Sequence, residues 1–418
     1  MNAPRPAGRL RGMLPAPGAE RALAASTLSR SIGNGIVVTV VVLYFTRRQN
    51  LPAGKVGLAL TLAALAAMAA SVPAGRLADL LGTRRVAVAA LILQGLAIAG
   101  YAAVHTFTGF LAAAAAVAVA DSASTAARGA LVATAVPRDQ RIRTRAYLRA
   151  VTNAAFSAGA LAGGLVIAAD TPAAYTAALP AGGALFLLSG LLLLPIPDPP
   201  PEAAPEGAPR WIVLRDRGYM NVGLLNAVLI MNAGMLNIAL PIWMTRHTHV
   251  PSAAFSAFLL VNTALVVLCQ IPASRGVTDV PTGARALRRS GLWLAACCTA
   301  FAAAATGPVW WAALLLTAGV VAQSTGELLY SAGSWALSYD LAPEHAHGQY
   351  QGMFGLTSQL GTALTPAVTT FVILGYGPLG WLLLGLALAA AGAAAPAVAA
   401  HAQRTRPFTP RPPQPAPH

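Results

Sequence analysis

The sequence predicts an all-helical membrane protein with twelve transmembrane helices in two pseudo-symmetric bundles of six. Three observations lead to this prediction: the composition, the number of long apolar runs and an echo between the two halves. Of the 418 residues, 56% are apolar and only 10% are charged, whereas a soluble domain averages about 25% charged residues. Too few polar residues are present to cover a water-facing surface, which excludes most soluble enzymes and nucleic-acid-binding proteins.

Twelve long apolar runs, bounded by Gly, Pro or Arg, define the predicted spans, since about 20 apolar residues cross a bilayer. They cover residues 21–46, 53–73, 86–104, 107–127, 148–169, 178–196, 218–245, 252–273, 290–306, 309–331, 351–373 and 379–399.

The Pro- and acid-rich stretch PIPDPPPEAAPEGAPR separates six spans from six, and its composition predicts an extended or disordered linker. The predicted domains are an N-terminal bundle (1–195), a cytoplasmic linker (196–216), a C-terminal bundle (217–400) and a disordered tail (401–418).

The formal charge of +15 indicates orientation rather than a charged partner. With a cytoplasmic N-terminus, 23 of the 28 basic residues lie in cytoplasmic segments, four lie outside, and Arg30 alone lies within a span. This split follows the positive-inside rule for an even number of spans. We expect a multi-pass protein of the inner or plasma membrane, with both termini cytoplasmic and no nucleic-acid partner.

The two halves repeat several features. Asp79 ends VPAGRLAD and Asp279 ends IPASRGVTD, 200 residues apart, and each follows the second span of its half. Asp121 precedes a Pro-containing loop by 16 residues in the fourth span, and Glu327 does the same in the tenth. Internal repeats of this kind are typical of transporters whose substrate site lies near the bilayer midplane.

The segment GRLADLLGTRRV, residues 75–86, joins the second and third spans. Its glycine permits close helix approach, its acid can accept from the N-terminus of the next helix, and its arginine pair anchors the cytoplasmic face. It resembles the signature loop of the major facilitator superfamily, although Leu80 stands where that family usually has Arg. The resemblance implies a cytoplasmic gate formed by Gly75, Asp79, Gly82, Arg84 and Arg85.

The fifth span contains GALAGG, with Gly159, Gly163 and Gly164. The pattern is similar to the Gly-Pro-x-x-Gly-Gly element of antiporters in the same superfamily, with Ala160 in place of the proline. Small residues at this spacing also let two helices pack backbone to backbone. Both interpretations stay open.

Three ionisable side chains stand out because they lie well inside predicted spans: Arg30, Asp121 and Glu327. Each costs about 2.5–3.5 kcal/mol at the centre of a helix unless a partner or water compensates it. Arg30 and Asp121 lie at similar depth, so we predict an ion pair, which either serves proton coupling or only fixes helix register. Asn34 follows one turn after Arg30 on the same helix face.

Glu327 is the candidate proton carrier because burial favours the protonated form of a carboxyl group. The alternative is a hydrogen-bonded structural acid at the mouth of a cavity. Asp121 and Glu327 are both expected within about two turns of the cytoplasmic helix ends. Gln323, one turn before Glu327, and Asn34, Asn226 and Asn237 are the predicted substrate-cavity residues, while Asn232 shares the seventh span with the last two.

No Gly-x-x-x-x-Gly-Lys phosphate loop occurs, so an ion gradient or the substrate's own gradient must drive transport. We expect no enzymatic activity, no cofactor and no metal site. The drug-efflux type of the superfamily is most similar, which implies a monomeric drug:proton antiporter. The predicted function is proton-coupled export of a hydrophobic or weakly cationic small organic molecule, because an anionic substrate would require more than one intramembrane Arg. The alternatives are an importer or uniporter of a small metabolite and a non-transporting sensor or scaffold.

Overall fold

The computed structural model describes residues 18–198 and 200–406, and all regular structure in this part of the chain is helical. The chain divides into two compact units, residues 1–200 and 201–418. The division falls within the stretch 196–216 that the sequence assigns to a linker.

The first unit contains six long helices. A π-helical turn, Tyr44–Arg48, extends the first helix, and short 3₁₀ turns at Tyr101–Ala103 and Arg138–Gln140 adjoin the third and fifth. The helices are α1 (Ala19–Leu43), α2 (Ala53–Leu81), α3 (Thr83–Gly100), α4 (Phe107–Ala135), α5 (Arg141–Ala169) and α6 (Pro172–Leu191).

The second unit repeats this order with more interruptions. It begins with the short α7 (Ile212–Arg215) and a broken first span: α8 (Arg217–Leu229), α9 (Asn232–Gly234), a π-helical segment (Met235–Ala239) and α10 (Leu240–His247). The remaining helices are α11 (Ala254–Ser274), α12 (Val280–Ala303), α13 (Val309–Asp340), α14 (His347–Ala367), which runs into a π-helical segment (Val368–Leu374), and α15 (Pro378–Arg404).

Helix pairing is the same in the two units. In the first, α1 packs on α5 and α6, α4 packs on α2 and α3, and α3 packs on α6. In the second, α8 packs on α14 and α15, α13 packs on α11 and α12, and α12 packs on α15. The sequence echo therefore corresponds to a repeat of structure.

Ten helices of the described chain are long and apolar enough to cross a membrane. The other two predicted spans, 290–306 and 351–373, are also helical, as α12 and as α14 with its π-helical extension. These two helices are less apolar than the rest. Helix α12 contains three arginines in its first half, and α14 contains several Gly, Gln and Thr residues. The predicted all-helical membrane fold is confirmed.

The depth predicted for the two intramembrane acids is wrong. Helix α4 continues beyond its apolar run to Ala135, and Asp121 is 14 residues from each end of it. Helix α13 likewise continues to Asp340, 13 residues after Glu327. Both carboxyl groups therefore lie near the middle of their helices, because the helices outlast the hydropathy pattern by two to three turns.

The predicted disordered tail also begins too early, because α15 continues to Arg404. The rest of the tail from residue 407, and the basic residues Arg5, Arg9, Arg11 and Arg411, lie outside the described residues.

Candidate functional site

The predicted ion pair between Arg30 and Asp121 is present. The Nη2 atom of Arg30 on α1 lies 2.5 Å from Oδ1 of Asp121 on α4. The side-chain amide of Gln94, buried on α3, donates to the same carboxylate oxygen at 3.0 Å. The Asp121 side chain is nevertheless 44% exposed and that of Arg30 20%. The pair is therefore held in place from three helices while it remains accessible.

A second arginine, Arg128, lies among the same packed helices of the first unit. It follows Asp121 by seven residues on α4 and so shares its face. Its guanidinium donates to the hydroxyls of Ser26 at 2.7 Å and Thr27 at 2.6 Å, both on α1, and to the hydroxyl of Ser189 on α6 at 3.5 Å. The sequence placed Arg128 among the cytoplasmic residues because the predicted fourth span ended at residue 127. The seven-residue spacing from Asp121 was the signal that would have found it.

Close packing of α5 against α1 positions Arg30 and the half-buried Asn34. A Cβ atom at Gly159 would overlap the carbonyl oxygen of Ile32, and one at Gly163 would lie 2.8 Å from Cβ of Thr39. A Cβ at Gly164 would meet no atom within 4 Å. Helix packing therefore explains Gly159 and Gly163, whereas Gly164 takes no part in that contact.

In the second unit, Glu327 belongs to a network of neutral amides. Gln323, fully buried one turn earlier on α13, lies with Nε2 3.3 Å from Oε2 of Glu327. The same Nε2 lies 3.4 Å from both the main-chain and side-chain oxygens of Asn232. Asn262 on α11 donates to Oε1 of Gln323 at 3.2 Å and to Ser324 at 3.0 Å. Residues of α9, α11 and α13 thus meet at the side-chain amide of Gln323.

The interruption between α8 and α9 makes this contact possible. The chain leaves regular helix at Ile230 and Met231, and the π-helical segment follows after Asn232–Gly234. Carbonyl groups near a helix break lack their usual partner four residues on, so side chains can satisfy them. The Asn232 carbonyl accepts from the main-chain N–H of Met235 three residues on and also lies 3.4 Å from Nε2 of Gln323, at the middle of the span Arg217–His247.

Asn226 and Asn237, two predicted cavity residues, do not join this network. The Asn226 side chain is buried and hydrogen-bonds to Tyr330 at 2.7 Å and Ser358 at 2.9 Å, where it holds α8 against its neighbours. Asn237 is exposed and donates to the Ala233 carbonyl of its own segment. The helix break changes the register between Asn226 and Asn232, so the three asparagines of this span lie in different surroundings.

An acid from the end of the first unit holds the signature loop. Gly82, with φ +100°, precedes α3, and Asp198 accepts from the main-chain N–H of Arg84 at 3.3 Å. Its carboxylate also lies 3.7 Å from Nε of Arg84 and 3.4 Å from Nε of Arg85. Asp198 thus occupies the position at the N-terminus of α3 that the sequence suggested for Asp79. Gly75 and Asp79 lie at the end of α2, buried and half-buried respectively.

The corresponding helix of the second unit supplies its own acid. Asp279 is the N-cap of α12, and it accepts from the main-chain N–H of Thr282 at 2.8 Å and from the Thr282 hydroxyl at 2.6 Å. The Thr282 hydroxyl in turn accepts from the Asp279 N–H. These hydrogen bonds from Thr282 lower the pKa of Asp279.

Comparison with curated proteins found no match. Among solved structures, the chain is similar to a human organic anion transporter, MFSD10 (TETRAN), with 14% identity, TM-score 0.71, and coverage of 90% of this chain and 98% of that one. It is similar to a bacterial homologue of the iron transporter ferroportin, with 16% identity, TM-score 0.73, and coverage of 92% and 99%. The transporter FucP gives 16% identity, TM-score 0.69, and coverage of 93% and 99%. At these identities the likeness shows the fold.

A sequence profile of the family described as Major Facilitator Superfamily matches residues 23–366 and, in a second alignment, residues 222–418. Together the alignments cover nearly the whole chain, including both units with their equivalent helix pairing. The chain therefore belongs to the Major Facilitator Superfamily and is a secondary transporter of the membrane rather than an enzyme.

Proposed function

We propose that this transporter exports a small organic molecule in exchange for protons and that Glu327 carries the proton. The supporting observation is the difference between the two mid-helix acids. Asp121 contacts the guanidinium of Arg30 at 2.5 Å. Glu327 is half-buried and accepts from the side-chain amide of Gln323, which also reaches the Asn232 carbonyl at the helix break.

Gln323 supplies a route from proton binding to helix movement. Its Nε2 atom lies 3.3 Å from Glu327 and 3.4 Å from the Asn232 carbonyl. An ionised Glu327 attracts this N–H group more strongly than a protonated one, since hydrogen bonds to charged groups are the stronger ones. Protonation therefore releases the amide toward Asn232 at the helix break, the most deformable point of the first span of this unit.

The proposal includes the orientation that the arginine distribution predicts, with both termini cytoplasmic in the inner or plasma membrane. It also keeps the cytoplasmic gate role of the signature loop, which the contacts of Asp198 with Arg84 and Arg85 support. Two structural relatives are described as proton symporters, for xylose and for fucose. That description agrees with a proton as the coupling ion. For the cargo we retain the apolar body that the composition predicts.

The test uses everted membrane vesicles with an acidic lumen. Protons then leave the lumen through an exporter, and cargo enters. Uptake of three fluorescent probes is followed: cationic ethidium, neutral N-phenylnaphthylamine and anionic pyrenebutyrate. We expect gradient-dependent uptake of at least one probe by the wild type and none by Glu327→Gln. The matched control is Glu206→Gln, which makes the same change at an exposed linker residue and should leave uptake unchanged.

Equal uptake by Glu327→Gln and wild type would reject Glu327 as the proton carrier. Accumulation in right-side-out vesicles under an inward proton gradient would favour the importer. Probe equilibration that ignores the gradient would favour the uniporter, and no probe movement in either orientation would favour a sensor or scaffold.

A further inference from the structure

The first unit contains more positive than negative charge in the middle of its helices. Arg30 and Arg128 both project from the interior stretches of α1 and α4, and Asp121 lies between them in sequence and on the face of Arg128. The two arginines and one aspartate leave an excess of one positive charge among these three side chains. Arg145, near the start of α5, and Arg30 both repel the charge of Arg128, while Asp121 attracts it.

Neutral groups hold Arg128 in position. Within the described chain, its hydrogen-bond partners are the hydroxyls of Ser26, Thr27 and Ser189, and none of them carries a charge. The acid nearest along its own helix face, Asp121, already accepts from Arg30 and Gln94. Hydroxyl groups fix the direction of a guanidinium but do not neutralise it, and Asp121 acts on Arg128 only through space, since its carboxylate is hydrogen-bonded to Arg30 and Gln94.

Arg30 also has unused donor capacity. Its Nη2 contacts Asp121, but its Nε is buried and has no hydrogen-bond partner among the described residues. A buried N–H without a partner is unfavourable unless a ligand or water accepts from it. The exposed fraction of the pair, 20% for Arg30 and 44% for Asp121, shows that a ligand can reach the guanidinium.

The arginines form a path along the unit. With a rise of about 1.5 Å per residue, Arg128 lies roughly 10 Å from the C-terminal end of α4, and Arg30 lies roughly 16 Å from the N-terminal end of α1. In the proposed orientation both of these ends are cytoplasmic. An anion entering from the cytoplasm would meet Arg145 near the helix end, then Arg128, then Arg30.

We propose that Arg128 and Arg30 bind an anionic group of the cargo, a carboxylate or sulfonate on an apolar body. This inference deepens the proposed function and rests on it, because the bound molecule is a cargo only if the protein transports it. A guanidinium offers two parallel N–H donors that match the two oxygens of a carboxylate, and the hydroxyls of Ser26 and Thr27 set Arg128 in a fixed direction. Asp121 is the internal counter-ion of Arg30 when the site is empty.

The proposal changes the predicted charge of the cargo. The sequence favoured a hydrophobic or weakly cationic molecule on the premise that a single Arg lay in the membrane. Arg128 removes that premise, and a cation placed beside two guanidinium groups and one carboxylate would be repelled.

The same chemistry could be satisfied by an anionic lipid headgroup, so the test separates cargo from lipid. Purified full-length protein is placed in phosphatidylcholine nanodiscs, and equilibrium binding of pyrenebutyrate is compared with that of its methyl ester. The two probes share the same ring system and differ in the carboxylate. We expect the acid to bind roughly tenfold more tightly than the ester, as a charge-assisted hydrogen bond to a fixed donor gives.

Arg128→Gln and Arg30→Gln should each reduce this preference to less than about threefold, and Arg128→Lys should retain part of it, since the charge remains. Arg143→Gln, an exposed arginine on α5, is the control and should keep the full preference. Gel filtration and thermal unfolding of each variant show that it is folded. The same binding measurement in nanodiscs that also contain the anionic lipid phosphatidylglycerol shows whether the site binds cargo or a lipid headgroup.

Equal affinity of acid and ester in the wild type, absence of saturable binding of the acid, or an unchanged preference in a folded Arg128→Gln would overturn the proposal. Loss of the preference in the presence of phosphatidylglycerol would assign the site to lipid and overturn it as well. Because binding is measured without a gradient, Glu327→Gln should bind both probes like the wild type. Failure of proton-driven uptake with an intact binding preference would therefore reject the proposed function and leave the anion site standing.

Discussion

Arg30 on α1 and Asp121 on α4 are joined by an ion pair of 2.5 Å, although 91 residues separate them in the chain. Gln94 on α3 donates to the same carboxylate at 3.0 Å. The pair therefore ties together three helices of the first unit and fixes the position of the guanidinium that we assign to the cargo.

Exchange of the two charges tests whether the contact itself matters. Arg30→Asp and Asp121→Arg should each lower the free energy of unfolding by about 1–3 kcal/mol, less than the cost for a fully buried pair because Asp121 is half exposed. The double swap should recover most of that loss in thermal unfolding in detergent. The exposed pair Arg48 and Asp170, at 3.2 Å, is the control, and its disruption should cost less than about 1 kcal/mol. Single variants that unfold like the wild type would reject a structural role for the pair.

Two glycines of α5 test the close packing of this helix on α1, one as the test position and the other as its control. Gly159→Ala places a methyl group against the Ile32 carbonyl and should destabilise the protein by about 1–3 kcal/mol through overpacking. Gly164→Ala enters open space and should be neutral or slightly stabilising, since alanine favours helix. Thermal unfolding of the two variants checks this expectation. A Gly164→Ala variant that unfolds normally but no longer transports would instead support the antiporter interpretation of this element.

Asp198 should protect the signature loop from proteolysis. Asp198→Ala removes the acceptor for the Arg84 N–H and the counter-charge of Arg85, so the start of α3 should open more often. Limited trypsin digestion should then cleave after Arg84 or Arg85 several-fold faster than in the wild type. Glu206→Ala, an exposed acid of the linker, should not change the cleavage rate. Equal rates in all three proteins would show that Asp198 does not hold the loop.

Asp279 should make the stability of α12 depend on pH. Because Thr282 lowers the pKa of Asp279 in the folded state, its stabilising effect is complete above the ordinary carboxyl pKa and is lost as the pH falls through the lowered folded pKa. Asp279→Ala should cost about 1 kcal/mol at neutral pH. Asp279→Asn keeps an acceptor oxygen without a titrating group and should cost less. The difference between wild type and Asp279→Asn should shrink toward low pH, and a constant difference would contradict the assignment.

The sequence was sufficient for the fold because apolar run length and arginine placement are direct consequences of the bilayer. It also predicted the Arg30 and Asp121 contact, since an isolated intramembrane arginine requires an acid at similar depth. Arg128 was missed because hydropathy marks where apolar residues end, while helix α4 continues to Ala135. Asp198 was missed because an acid in a Pro-rich stretch gives no local signal for the loop it reaches, 114 residues earlier.

The network around Glu327 was predicted in part. Gln323 follows from four-residue helix spacing and contacts Glu327 as expected. Asn232 and Asn262 reach it only because the first span of that unit is broken and because α11 packs on α13. Neither relationship is local in sequence, so helical periodicity could not predict it.

The most direct test of the proton-carrier role follows protons and cargo together in proteoliposomes. The probe that wild-type vesicles accumulate is loaded inside, and an internal pH dye records proton movement. We predict that wild type moves protons in the direction opposite to the probe, while Glu327→Gln still exchanges probe for probe without any pH change. Proton movement by Glu327→Gln at the wild-type ratio to probe would contradict the account.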